Sequence, residues 1–95
     1  MFELKKEILE TFCEKDERRR KYLQEMLMTD DEGESNHFFA LAQKEEAEMK
    51  AIEYSHVDAE DLYAVVIAHD FVKTLGVERL DKIIACLNVC EVEVV

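Results

Sequence analysis

Apolar positions recur at helical spacing along most of the chain. Ile8, Leu9 and Phe12, then Tyr22, Leu23, Met26 and Leu27, return every three or four residues and predict a first helix from Phe2 to about Met28. Between the two groups lies "EKDERRRK", a run made only of charged residues. Glu14–Arg18, Asp16–Arg20 and Glu17–Lys21 stand four apart with the acid first, the stabilising order, so the run stays helical without a core. Phe12 and Leu23 share a face, because eleven residues make about three turns. Asp16 and Arg19 fall on that same face between them. Either the helix leaves the body of the fold there, or that ion pair meets something.

"TDDEGES" then breaks the pattern. Thr29 and Glu32 have the spacing of a capping box, and Ser35 or Asn36 is placed to cap a second helix. That helix is expected from about His37 to Tyr54, with Phe38, Leu41, Ala42, Met49 and Ile52 inward. "DAED" opens a third, with Asp58 as N-cap and Glu60 and Asp61 in its electropositive first turn. "LYAVVIAHDFVKTLG" is apolar on most sides and reads as the central buried helix, stopped by Gly76. A fourth helix aligns Val77, Leu80, Ile83, Ile84 and Leu87 on one stripe.

The tail "VCEVEVV" alternates with period two and is β-branched, the pattern of a strand. No second strand is evident in the sequence. The tail is therefore expected to pair with another molecule, as in a symmetric dimer, or to fray. The fold class expected is mainly α, a small bundle of about four helices with the tail as a short C-terminal β-strand. Residues 1–95 are expected to form a single domain.

Composition adds an electrostatic constraint. The net charge of −11 is unevenly spread. Residues 1–29 balance, whereas residues 30–61 hold eleven carboxylates against Lys44 and Lys50. Such a field repels nucleic acid and anionic lipid and favours basic partners. The segment has no run of about eighteen apolar residues, so no membrane span is expected. Three cysteines, Cys13, Cys86 and Cys90, form too sparse a set for a disulfide framework and fit a reducing cytoplasm.

Known chemistries fit poorly. An EF-hand loop aligned on Gly33 would put Met28 and Phe39 at its first and last ligand positions. Glu53 and His56 have the Glu-x-x-His spacing of di-iron carboxylate bundles, but the motif occurs once, not twice. Cys86 and Cys90 lie four apart, half of a zinc site. His69-Asp70 is the dipeptide of HD-type metal phosphohydrolases, whose remaining ligands would have to come from His37 or His56 and Asp81. "VKTLGVERLDKIIACLN" has helix-turn-helix form, but its second helix has no cationic excess to meet phosphate. No nucleophile elbow or phosphate loop occurs, so neither an enzyme nor a cofactor is expected.

The charge pattern leads to an expectation about function. It is a non-enzymatic, acidic inhibitor or immunity-type protein, of the kind found in bacteriophage, that masks the basic surface of a partner such as a nucleic-acid-binding protein. Glu45, Glu46, Glu48 and Glu53 would form the contact, supported by Asp58, Glu60 and Asp61. Stretched as one helix, residues 30–61 carry roughly one net charge per 5 Å, against about 1.7 Å in duplex DNA, so mimicry of DNA requires folding back or pairing. A rival reading is a small oligomeric adaptor that binds through an apolar face: Tyr22–Met28, Phe38–Phe39 or the C-terminal strand. A third is a dimeric metal-carboxylate protein built on Glu53 and His56.

Overall fold

The charged run does not interrupt the first helix. A computed structural model describes residues 1–95, and α1 covers Lys6–Met28 through the whole of it. A tight turn leads into α2, Glu32–Tyr54, which folds back antiparallel along α1. α3 spans Ala59–Leu75, a single 3-10 turn spans Val77–Arg79, and α4 spans Leu80–Val89. Two three-residue strands complete the chain, β1 at Phe2–Leu4 and β2 at Val92–Val94. The fold is thus a mainly-α bundle of four helices with a short C-terminal strand, as expected.

Turn chemistry explains the boundaries. Asp31 caps α2, its carboxylate accepting from the Glu34 backbone N–H at 3.0 Å. Thr29 Oγ1 joins the same turn, accepting from Asp31 N–H and donating to the Glu34 carboxylate. With Asp31 in that role, α2 begins ahead of the His37 start expected from Ser35 or Asn36. Asp58 caps α3 as expected, accepting from Glu60 N–H at 2.9 Å. Gly76 ends it at φ 82°, a backbone region that side chains disfavour.

α3 is the central element. Ala64, Val65, Ala68, His69 and Val72 are buried, and the two alanines let neighbouring elements approach closely. The core gathers these with Leu9 and Phe12 of α1, Met49 of α2, and Ile83 and Leu87 of α4. Leu4 and Val92 close its floor. Of residues 13–48 only Asp16 and Ala42 are buried, and neither belongs to this cluster. The two long helices therefore run past the body, and the molecule measures 49 × 27 × 16 Å.

The tail has a partner within the chain. β2 pairs in parallel with β1, Phe2 opposite Val92 and Leu4 opposite Val94. Hydrogen bonds from Phe2 to Glu91, Val95 to Leu4 and Lys6 to Val95 extend the ladder. This corrects the expectation of an unpaired tail. Residues 2–4, read as the start of the first helix, form the missing strand. Phe2 also packs its ring against Tyr63, centroids 4.6 Å apart.

Asp16 marks where the body ends. Its side chain is fully buried, which is tolerable for a carboxylate only with strong partners. Arg19 donates to Oδ1 from Nε at 3.1 Å and from Nη2 at 2.8 Å, and Arg20 Nε donates to Oδ2 at 2.6 Å. Arg20 Nη2 also donates to the Lys73 carbonyl at 2.6 Å, satisfying a C-terminal carbonyl of α3 at the negative end of its dipole. Of the three local pairs expected in the charged run, only Asp16–Arg20 forms, because Arg18 turns to α2 instead. Arg20→Leu is expected to lower unfolding free energy by about 2–3 kcal/mol in urea titrations, and Arg18→Leu by less than about 1 kcal/mol. Equal losses would contradict the account of the Arg20 bridge.

Candidate functional site

The acidic residues of α2 fall into two groups by what they touch. Glu48 accepts from Lys15 at 2.7 Å and Glu45 from Arg18 at 3.0 Å, both across the helical hairpin. Glu46 accepts from Lys73 of α3, and Glu53 from Nδ1 of His69. The four expected contact glutamates thus each meet a group of this chain. They line the sides of α2 that face α1 and α3 and do not form an outward stripe. Asp58, Glu60 and Asp61 are exposed at the start of α3 and make no ion pair. Asp30, Asp31, Glu32 and Glu34, at the other end of α2, are likewise exposed without one.

His69 is held rather than presented. Its ring stacks on Phe12 with centroids 5.2 Å apart, and Nδ1 donates to Glu53. The opposite nitrogen, Nε2, is buried with no hydrogen-bond partner in the protein. His56 turns away from Glu53 and bonds the Ile52 carbonyl at 2.7 Å, so the Glu-x-x-His pair does not converge. Lys73 reaches Glu46 rather than the adjacent Asp70. Cys86 and Cys90 are half-buried free thiols, and α4 ends at Val89, so that Cys86 lies within the helix and Cys90 caps its C-terminus. Burial, followed by the charge of Asp16, raises the Cys13 thiol above its ordinary range and leaves it a poor nucleophile. Nowhere do three His, Cys, Asp or Glu side chains gather as a metal-binding group.

The most exposed apolar surface of the long helices lies on the part that leaves the body. On α1, Phe12, Asp16, Leu23 and Leu27 follow one face at intervals of four, seven and four. The first two are buried. α3 ends beside Arg20, so Leu23 and Leu27 continue the face beyond it; Leu23 is half-buried and Leu27 is 80% exposed. On α2 the matching face carries Met49, Glu46, Ala42 and Phe39, of which Met49 and Ala42 are buried and Phe39 is 46% exposed. The pairs Lys15–Glu48 and Arg18–Glu45 set the hairpin register. In that register Ala42 is level with Lys21, and Phe39 with Gln24. Leu23, Leu27, Ala42 and Phe39 thus belong to one side of the arm, the side that α3 covers lower down. The two apolar segments named in the adaptor reading, Tyr22–Met28 and Phe38–Phe39, are brought together here. Exposed Met28 lies around the helix from this side.

No protein-family model, no curated protein and no solved structure gives a significant match to the chain. The fold and the arm define a class in physical terms: a small helical body from which a two-helix hairpin projects.

Cations of α1 and α3 hold two of the carboxylates below their ordinary value of 4.5: Glu46 chiefly through the hydrogen bond from Lys73, Glu48 chiefly through that from Lys15. A depressed carboxylate stabilises the fold while ionised. Its contribution is whole above the ordinary carboxylate range and is lost as pH falls through the lowered value. The thermal midpoint is therefore expected to hold steady from pH 7 to about 5.5 and to fall below about 4.5. In a Lys15→Met/Lys73→Met variant the fall should be shallower, from a lower plateau. An identical acid profile in the variant would contradict the assignment.

Proposed function

We propose that this chain is a non-enzymatic protein-interaction module whose recognition element is the free arm of its helical hairpin. The observation that carries the reading is the apolar face of α1 and α2 continuing past the end of α3, with Leu27 at its most exposed point. A helix face that is apolar, periodic and uncovered is the surface on which helix-in-groove and bundle contacts are built. Most of the charge of α2 supports this reading indirectly. Glu45, Glu46, Glu48 and Glu53 position the arm and body by engaging groups of the same chain, which explains why so acidic a helix tolerates burial on two sides.

The masking of a basic partner surface remains a second reading, supported by the unpaired carboxylates at the two ends of α2. Asp30–Glu34 and Asp58–Asp61 are separated by most of a 23-residue helix, about 34 Å, so a basic partner would meet two patches. Capture through these patches should weaken steeply with salt, whereas docking on the arm should not.

A benzophenone amino acid placed at Leu27 is the direct test, with one at exposed Val89 on α4 as the control. In cells expressing the full chain, irradiation is expected to give a protein adduct from position 27 and none from position 89. No adduct at position 27 would remove the arm as an interaction surface.

A further inference from the structure

We propose that the outer edge of β1 is a strand-docking site, which takes an extended peptide segment carrying a basic residue between two apolar ones. The site lies on the body, so it stands or falls apart from the arm.

The ladder leaves one edge open. Phe2 N–H donates to the Glu91 carbonyl and the Leu4 carbonyl accepts from Val95 N–H, so these two residues face β2. Backbone groups alternate along a parallel pair, and Glu3 between them turns its N–H and C=O outward. No turn or loop hydrogen bond takes up either group, and Glu3 is exposed. An edge of this kind is a template for a further strand. On the other side of the sheet the outward residue is Val92, which is fully buried, so that edge is closed.

Beside the open edge runs a groove of about 300 Å³. Leu4, Ile8 and Val65 give it an apolar lining, and His56 and Asp61 reach it from the start of α3 and the turn before it. No residue of β2 or α4 lines it, which puts it on the side of β1 away from β2. A strand laid along β1 would therefore have its inward side chains over apolar surface.

Charge selects the occupant. Glu3 stands opposite Glu93 in the ladder; both are exposed and neither has an ion-pair partner. Like charges so placed repel. Asp61, also unpaired, adds a carboxylate at the groove, where Lys5 is the one cation of the lining and His56 Nδ1 is engaged with the Ile52 carbonyl. A second copy fits badly, because pairing β1 with β1 about a two-fold axis at Glu3 would set two Glu3 and two Glu93 in one row. A strand with Lys or Arg opposite Glu3 relieves the repulsion instead. In antiparallel pairing, the stronger kind, that residue exchanges both backbone bonds with Glu3. Its two neighbours point to the face that Leu4 shares, towards the groove.

NMR titration of the full chain with the capped peptide Thr-Val-Arg-Val-Thr tests the proposal. Saturable shifts centred on the amides of Glu3 and Lys5 are expected, with a dissociation constant below about 1 mM. Methylating the arginine N–H removes a bond to Glu3 and should weaken binding at least about tenfold, whereas methylating the N–H of the following valine, which points away from β1, should leave it within about twofold. Glu3→Lys should weaken the arginine peptide about tenfold and, by setting opposite charges across the ladder, keep or raise the thermal midpoint. A missing shift at Glu3, equal losses from the two methylations, or a Glu3→Lys variant that binds as well as the wild type would overturn the proposal. So would a Glu3 shift that grows with protein concentration alone, which would make a second copy the occupant.

Discussion

A fully buried carboxylate imposes the strictest pairing requirement in this small fold. Asp16 lies on the apolar face of α1, where a leucine would be the simpler choice. Left without partners it would have to take up a proton or be dragged to solvent. Two arginines from the next turn compensate it, and one of them has a second task. Arg20 joins the carboxylate to the last carbonyls of α3, so that the negative end of that helix and the buried acid share one cation. The constraint is geometric as well as electrostatic. It fixes the height on α1 at which α3 stops, and with it the boundary between body and arm. Gly76 fits the same demand. It turns the chain at φ 82° and sits with the Arg20 guanidinium 3.6 Å from where a β-carbon would be.

Much of this could be read along the chain, and the reasons for the remainder are physical. The four helices, the Asp58 cap and the stop at Gly76 are local, and local patterns declared them. Asp16 and Arg19 on the face of Phe12 and Leu23 posed the choice between a helix leaving the body and an ion pair meeting something. The structure realises both. Phe2–Leu4 was hidden because three residues show no period and merge with a helical pattern beginning at Lys6. Their strand partner lies ninety positions away. The cross-hairpin pairs were hidden for a different reason. A glutamate four residues from an arginine looks the same whether it bonds locally or across to another helix, so Glu14–Arg18 was favoured by proximity in sequence. Arg18 chose Glu45 instead.

Net charge proved a poor guide to where charge is presented. Eleven carboxylates between residues 30 and 61 suggested one anionic surface. Helix geometry divides them. Those in the middle of α2 turn inward against Lys15, Arg18, Lys73 and His69, and those at its ends stay free. What survives outside is a pair of poles, and the apolar strip that began as part of a core face lies beside one of them.

The parallel pairing of β1 with β2 has a bearing on how the chain is made. Residues 2–4 are synthesised ninety positions ahead of their hydrogen-bonding partners at 92–94. Closing so long a ring is entropically the least favoured contact in the molecule, whereas the α1–α2 hairpin closes over a three-residue gap of sequence. The hairpin can therefore close before the floor of the body, whose strand pairing must wait for residues 92–94 to bury Leu4.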